Sequence, residues 1–309
     1  MTGPWDPIEP FATGHLPVGD GHTMYWEASG NRKGEPALFL HGGPGGGMKT
    51  GYRRRFDPSR FLIVGFEQRG CGRSRPRASE AGYDLSHNTT QHLIADIETL
   101  RAHLEIEDWL VCGISWGTTL ALAYAQAHPE RVRRLVLTCV TTTSRREVRW
   151  LTEDVGRIFP REWEAFEAAS GRTAGQTLID AYYNLITDPD KREQAATDWC
   201  AWEDVHISLD PASVPIPDFT DPEFRLTFAT LVIHYWKHAA FISDLEEGMD
   251  RIANIPGTLI HGRLDVSSPL ETAYRLRKLW PASELIVVEN EGHGGEEIIA
   301  RTIEAIARL

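Results

Sequence analysis

Residues 113–117, with the sequence Gly-Ile-Ser-Trp-Gly, constrain the fold of this chain more than any other feature. A short apolar run, Trp109–Cys112, comes before them, and an alanine-rich stretch that is typical of a helix follows at 118–128. A strand, a G-x-S-x-G turn and a helix in this order predict a nucleophile elbow, which presents the Ser115 hydroxyl at the edge of a parallel sheet. The motif is short, and a surface Gly-Ser turn is the alternative, so its weight depends on partner residues.

The partners of Ser115 follow in the order that such a site requires. A serine nucleophile needs a histidine that accepts its proton and a carboxylate that orients the histidine. An apolar strand at 257–262 leads to Asp265, and a second strand at 284–288 leads to His293. Either residue alone is readily explained as part of a turn, but the order Ser, Asp, His is that of the α/β-hydrolase fold. The sequence therefore predicts Ser115 as nucleophile, His293 as base and Asp265 as the orienting acid.

A glycine-rich loop at His41–Gly47 follows the apolar strand Leu38–Leu40. Acyl transfer needs backbone N–H groups that point at the developing oxyanion, and the predicted donors are Gly43 and Trp116, the residue after the nucleophile. A phosphate-binding loop is the competing interpretation. It fails because one residue separates the last glycine from Lys49, so the spacing G-x-x-x-x-G-K-[ST] is not met.

Strands and helices alternate along both ends of the chain, which predicts an α/β fold with a mostly parallel sheet between helices. The middle of the chain lacks β-branched runs and predicts an inserted helical cap. The expected parts are residues 1–141 and 249–309 for the hydrolase core and residues 142–248 for the cap. Five of the ten tryptophans lie in the cap segment: Trp150, Trp163, Trp199, Trp202 and Trp236.

The formal net charge of −12 argues against nucleic acid and anionic membranes as partners. No apolar run approaches the length of a membrane span, and Met1–Asp6 lack the features of a signal peptide. The four cysteines show no C-x-x-C spacing, so a reducing cytoplasm is the expected location. The basic run Arg53–Arg55 is expected to be a solvated face.

His234 and His238 have the i, i+4 spacing that zinc sites use on helices. A metalloprotease of this kind needs a glutamate directly after the first histidine, and Tyr235 stands there. The two histidines are therefore expected to be structural or pocket-lining, and no metal or other cofactor is predicted.

With these motifs in place, the chain resembles the proline iminopeptidases over nearly its whole length. The resemblance implies an α/β-hydrolase with a helical cap that releases one N-terminal residue from a peptide or amide without a metal. It assigns the same roles to Ser115, Asp265, His293, Gly43 and Trp116 as the reasoning above. The matching motifs are His41–Gly47, Gln68–Ser74, Asn88–Thr90, Ser115–Gly117, Thr119–Gln126, His128-Pro129, His261–Arg263, Asp265 and Gly292-His293.

The resemblance also implies a cap carboxylate that holds the free amino group of the substrate. The pair Trp202-Glu203 stands where such members carry Trp-Glu, so Glu203 is the candidate, with a solvated helix acid as the alternative. A second family glutamate falls at Val232, where this chain has no acid. Valine there makes the wall near Trp236 more apolar.

Thr141, Ser267 and Ser268 occupy positions that line the proline-ring pocket in the resembled enzymes, and they differ from the residues expected there. We therefore predict a serine aminopeptidase or amidohydrolase that removes proline or a small residue such as alanine. Its substrate is a short peptide or a large hydrophobic amide with a free amine, and natural-product maturation is one setting. The tryptophans then either hold an apolar leaving group or only pack the cap.

Two other functions stay open at this point. The first is a carboxylic-ester hydrolase on the same scaffold, for which Glu203 is incidental. The second, which the complete set of Ser, His, Asp and glycine-loop elements disfavours, is a binding protein without catalysis. The sequence predicts neither the oligomeric state nor the leaving group.

Overall fold

A computed structural model of the protein describes residues 5–207, 209–211 and 213–308. Residues 1–4 of the segment Met1–Asp6, on which the signal-peptide expectation depends, lie outside the described residues. The described part contains one eight-stranded sheet with the order β1-β2-β4-β3-β5-β6-β7-β8. Its strands are β1 (Ala12–Gly19), β2 (His22–Gly30), β3 (Glu35–Leu40), β4 (Phe61–Phe66), β5 (Trp109–Ile114), β6 (Val132–Thr138), β7 (Gly257–Gly262) and β8 (Ser283–Val288).

Strand β2 pairs antiparallel with both β1 and β4, and the neighbouring pairs from β4 to β8 run parallel. The carboxyl ends of β3, β5, β7 and β8 therefore meet at one edge of the sheet. The α/β class with a mostly parallel sheet, predicted from the alternation, is confirmed. The sequence did not predict β1, an edge strand that contains Gly14 and Pro17 and alternates between half-buried and exposed residues.

Helices cover both faces of the sheet. One hydrophobic cluster packs helices α1 (Thr90–His103), α2 (Trp116–Ala127) and α8 (Leu270–Leu279) on one face. A second cluster packs α9 (Glu296–Ala307) and the short 3₁₀ helix Thr50–Arg55 on the other. The central parallel strands β4, β5 and β7 are largely buried on both faces, and for that reason their sequences are apolar runs.

Helix α1 shows how local sequence fixes an element. Thr89 caps its first turn, because the hydroxyl accepts a hydrogen bond from the His92 N–H. Leu93, Ile97 and Leu100 follow at helical spacing and are fully buried. The sequence prediction of a helix from Thr89 to Leu104 differs from the observed bounds by one residue at each end.

The segment between β6 and β7 carries five α-helices in the described residues. They are α3 (Arg145–Arg149), α4 (Pro160–Ser170), α5 (Leu178–Thr187), α6 (Arg192–His206) and α7 (Pro222–Lys237). Their apolar side chains form a separate cluster with an aromatic centre, in which Phe166 stacks between Tyr182 and Trp202. Among the described residues, no helix combines the length and apolar character needed to cross a bilayer.

Candidate active site

Ser115 lies on a sharp turn between β5 and α2. Its backbone has φ 55° and ψ −127°, a conformation that residues with a side chain rarely adopt. The flanking glycines make the turn possible: a Cβ atom on Gly113 would lie 2.4 Å from the Gly117 carbonyl oxygen, and one on Gly117 would lie 2.2 Å from the Leu40 carbonyl oxygen. The turn therefore needs glycine at both positions, as the sequence reasoning required.

The structure brings Ser115, His293 and Asp265 together although they are far apart in sequence. The His293 Nε2 atom lies 2.8 Å from the Ser115 Oγ atom, and its Nδ1 atom lies 2.7 Å from an Asp265 oxygen. With the proton on Nδ1, the ring donates to Asp265 and accepts from the serine hydroxyl. The second Asp265 oxygen accepts from the Ser268 N–H at 2.8 Å, which fixes the carboxylate.

The electrostatics of this relay favour a base that is poised to accept a proton. Burial by itself lowers the pKa of His293, but the Asp265 carboxylate outweighs burial, and the net pKa is raised above its ordinary value. The Asp265 side chain is fully buried. A buried carboxylate beside the ring stabilises the imidazolium that forms during proton transfer.

The two predicted oxyanion donors, Gly43 and Trp116, line the small cavity that also contains Ser115. Trp116 is the first residue of α2, so its N–H has no acceptor within the helix. Gly43 lines the same small cavity as Ser115 and has φ +115°, in the region that favours glycine. This placement suits the two predicted oxyanion donors.

Gln68 connects the two sides of this arrangement, a role that the sequence reasoning did not assign. Its side-chain amide donates to the His41 carbonyl at 3.0 Å, and its Oε1 atom accepts from the Trp116 indole at 2.8 Å. The Gln68 N–H also donates to His41 Nε2 at 3.1 Å. The glycine loop and the start of α2 are therefore held at a fixed spacing. Gln68 lies in a motif shared with the resembled family, and that was the only feature of the sequence that pointed to a role for it.

Two cavities reach Ser115 and His293. The smaller one has a volume of about 30 Å³, about the room of one or two water molecules. The larger one has a volume of about 560 Å³ and a mainly apolar lining. The small cavity is bounded by Thr141, Thr143, Glu147, Leu151, Trp236, Ser267 and Ser268, and the large one by Glu203, Ile207, Phe219, Phe224, Phe228, Trp236 and Arg55, among others.

Glu203 lies on α6 and lines the large cavity together with Ser115 and His293. It is buried, and one carboxylate oxygen accepts from the Trp199 indole at 2.9 Å. Burial raises its pKa to about 7, and the nearby His293 opposes this only in part. His206, one turn further along, places Nε2 at 3.5 Å from the other oxygen. Burial lowers the pKa of His206 to about 3, so the ring is neutral and does not pair with the carboxylate as a cation.

The remaining predicted binding residues separate into two groups. Thr141 lines the small cavity, and Trp236 lies between the small and the large cavity and lines both. Trp202 and Val232, in contrast, are buried in the hydrophobic cluster of the cap and are not among the described residues that line either cavity. The Trp202 indole donates to the Leu151 carbonyl at 3.1 Å. The expectation that these two side chains contact the substrate is therefore not supported by their positions, because α6 and α7 turn them into the cap core.

The two histidines of the i, i+4 pair are structural. His234 Nε2 lies 2.9 Å from the Asn88 carbonyl, and His238 Nδ1 lies 2.8 Å from the His234 carbonyl. Burial lowers the pKa of His234 to about 4. One nitrogen of each ring is therefore within hydrogen-bond distance of a backbone carbonyl oxygen.

The expectation for the basic run is wrong. Arg53 is buried, and its guanidinium donates to Glu27 at 2.8 Å, while the half-buried Arg55 lines the large cavity. A run of three arginines gives no sign of this by itself, because the 3₁₀ helix turns each side chain in a different direction.

These observations define the class of the protein: a serine hydrolase with the α/β-hydrolase fold. The family model for the alpha/beta hydrolase fold matches residues 36–295. The chain is 46% identical to a probable proline iminopeptidase of Streptomyces coelicolor over 96% of this chain and 95% of that protein. It is 42% identical to the proline iminopeptidase of Arabidopsis thaliana over 94% of this chain and 77% of that one.

The chain belongs to the proline iminopeptidase family of serine hydrolases. Among solved structures, a proline iminopeptidase of Mycobacterium smegmatis matches with a TM-score of 0.65 and 21% identity, covering 96% of this chain and 97% of that chain. At that identity the structural match supports the fold, and the family rests on the sequence relatives.

Proposed function

We propose that this protein is a serine aminopeptidase that releases one N-terminal residue, proline or a small residue such as alanine, through an acyl-enzyme. The observation that carries the proposal is that Glu203 and the Ser115–His293 pair line one cavity. A carboxylate at a fixed distance from the nucleophile binds the ammonium group of the first residue. The carbonyl of that same residue, whose peptide bond is cleaved, then lies in front of Ser115. The printed names of the sequence relatives support the same activity.

The reaction proceeds in two acyl-transfer steps. The Ser115 oxygen attacks the carbonyl carbon while His293 Nε2 accepts the hydroxyl proton, and the oxyanion accepts hydrogen bonds from the N–H groups of Gly43 and Trp116. The imidazolium then gives its proton to the leaving nitrogen, the C–N bond breaks and the amine departs. Water, deprotonated by His293, adds to the acyl-enzyme, and the free amino acid leaves as the hydroxyl of Ser115 is restored.

The environment of Glu203 suits recognition of an ammonium group. Burial raises the pKa of Glu203 to about 7, so the surrounding protein groups leave the carboxylate only partly stabilised. A bound ammonium supplies the missing partner, because a buried charge needs an opposite charge or hydrogen bonds. Of the two acids that the family resemblance implies, this chain carries Glu203 and has valine at position 232.

The two cavities suggest which part of the substrate each one holds: the small cavity the released residue, and the large cavity the leaving portion. The small cavity, with Thr141 and Ser268 on its walls, adjoins Ser115 and suits a small side chain on the residue that is released. The large cavity has the aromatic walls Phe219 and Phe228 and accepts an apolar leaving portion, either a peptide residue or a hydrophobic amine.

The test compares arylamides of proline, alanine and leucine with and without N-acetylation. We expect cleavage of the free amines and a loss of cleavage after acetylation, because acetylation removes the charge that Glu203 binds. An ester hydrolase with an incidental Glu203 would instead cleave simple esters well and ignore the amine. Glu203→Gln separates the two: it should reduce turnover of free-amine amides far more than turnover of a p-nitrophenyl ester.

Other predictions from the sequence remain proposals. We propose that residues 142–248 act as a cap on a core of residues 1–141 and 249–309, and that the protein works in the cytoplasm without nucleic acid or membrane partners. Labelling of Ser115 by an active-serine phosphonate would exclude a binding protein without catalysis.

A further inference from the structure

The Arg55 guanidinium is a cation without a counter-charge in the large cavity. Among the described residues, Arg55 forms no ion pair or hydrogen bond, although Arg53 binds Glu27 and the Arg54 Nε donates to the Trp5 carbonyl at 2.7 Å. The other cation that lines this cavity, Lys49, is paired with Asp218. Arg55 is thus distinguished from the neighbouring basic residues by its free guanidinium.

The surroundings of Arg55 do not compensate its charge. The guanidinium carbon lies 5.7 Å from the centre of the Phe39 ring. The thiols of Cys112 and Cys139 supply no anion, because burial raises the pKa of both. Burial lowers the pKa of Arg55, but arginine keeps its proton at any physiological pH. A partly desolvated cation of this kind gains stability from a bound anion.

Arg55 lines the same cavity as the reacting groups. Ser115 and His293 are among the other described residues on the walls of that cavity. Ile114, the residue before the nucleophile, lines the cavity as well. The lining of the large cavity therefore includes a carboxylate, Glu203, from the segment between β6 and β7 and a guanidinium, Arg55, from the 3₁₀ helix Thr50–Arg55.

We propose that Arg55 binds a carboxylate on the leaving portion of the substrate, and that the preferred substrates are short peptides with a free C-terminus. This inference depends on the proposed aminopeptidase function. Glu203 holds the ammonium, the scissile carbonyl meets Ser115, and the aromatic walls contact the side chain of the leaving residue. The planar guanidinium of Arg55 donates two parallel hydrogen bonds to the two carboxylate oxygens. The same chemistry fits an α-carboxylate or the side chain of an acidic residue.

The experiment measures kcat/KM for Pro-Leu, Pro-Leu-amide and Pro-Asp-amide, with a proline arylamide as the neutral reference. We expect the free acid Pro-Leu to exceed its amide by about 10- to 100-fold, the range of a charge-assisted hydrogen-bonded pair. A high value for Pro-Leu alone identifies the α-carboxylate as the ligand, and a high value for Pro-Asp-amide identifies an acidic side chain. Equal values for all three peptides would overturn the proposal.

Arg55→Met keeps an apolar stem of similar length and removes the charge, so the acid-to-amide ratio should fall to near one. Arg55→Lys keeps a point charge without the fork and should give an intermediate ratio. Arg54→Met is the matched control, because Arg54 is adjacent in sequence and outside the described lining of the cavity, and it should retain the wild-type ratio. An unchanged ratio in Arg55→Met refutes the assignment.

A second measurement needs no variant and covers the case in which Arg55→Met fails to fold. Leucine should inhibit hydrolysis of the proline arylamide at a lower concentration than leucinamide does, since only leucine carries the carboxylate. Equal inhibition contradicts the proposal. Turnover of the proline arylamide distinguishes failure of the proposed function from failure of the Arg55 site. If the arylamide is not cleaved, the proposed aminopeptidase function is wrong. If it is cleaved but free acids are not preferred over amides, only the Arg55 site is wrong.

Discussion

Glu203→Gln should make the protein more stable and less active at the same time. The native Glu203 carboxyl is 6% exposed, accepts a hydrogen bond from the Trp199 indole, and has its pKa raised to about 7 by burial. Glutamine has nearly the same shape and no charge. Its oxygen keeps the bond from Trp199, and its NH₂ group faces the His206 Nε2 atom, which has no hydrogen-bond partner among the described residues.

The magnitude follows from the pKa. A rise from 4.5 to about 7 penalises the ionised native state by about 3 kcal/mol, at about 1.4 kcal/mol per pH unit. The native carboxyl binds its proton more tightly than the unfolded one, so native stability falls as pH rises. The penalty is absent below pH 4.5, grows between pH 4.5 and 7, and is complete above pH 7.

The assay is thermal unfolding of wild type and Glu203→Gln at pH 5 and at pH 8.5. The variant should unfold about 5 °C or more higher at pH 8.5, with only a small difference at pH 5. Its kcat/KM for a proline arylamide should fall by at least about 30-fold, since removal of one partner of a buried charge pair is costly. Equal unfolding temperatures at pH 8.5, or a gain that does not depend on pH, would refute the account of Glu203 as an unpaired buried acid.

Three further predictions concern the relay and the elbow. Ser115→Ala and Asp265→Asn should each lower kcat by about 10⁴-fold, the first by loss of the nucleophile and the second by loss of the correct histidine tautomer. Their unfolding temperatures should stay near that of the wild type. Steady-state kinetics measures the first effect, and thermal unfolding followed by circular dichroism measures the second. The kcat/KM for free-amine substrates should fall more steeply towards acid pH than the kcat/KM for a simple ester. The reason is that the amine substrate needs both a neutral His293 and an ionised Glu203, whereas the ester needs only the neutral His293. Parallel pH profiles of kcat/KM for the two substrates would contradict the assigned role of Glu203. Gly117→Ala should yield little soluble protein, because the added Cβ would lie 2.2 Å from the Leu40 carbonyl oxygen. Normal expression and activity of this variant would show that the turn tolerates a side chain.

The parts of the site that the sequence predicted well are those set by local geometry. The turn at 113–117 needs glycines on both sides of Ser115, and Asp265 and His293 lie in the loops that follow the parallel strands β7 and β8. Since parallel strands end at one edge of a sheet, residues after those strands meet without further information. The core strands are predictable for the same reason, because burial on both faces makes them apolar throughout. Edge strand β1 has no such signature and was missed.

The binding residues were harder to predict because they depend on how distant segments pack. Glu203 and Trp202 are adjacent in sequence, yet one lines the large cavity and the other lies in the cap core. Val232 was placed by its resemblance to a family position, and the rotation of α7 buries it. Arg55 was expected to be solvated, but it is half-buried and lines the large cavity.

By itself, the sequence determined the fold class, the elbow and the three residues of the relay, because these follow from strand burial, turn geometry and chain order. Only the tertiary structure decided which charges face the nucleophile and how strongly they are desolvated. The physical reason is that burial and electrostatic pairing are properties of the space between segments that lie far apart in the chain. The elevated pKa of Glu203 and the unpaired Arg55 arise in that space.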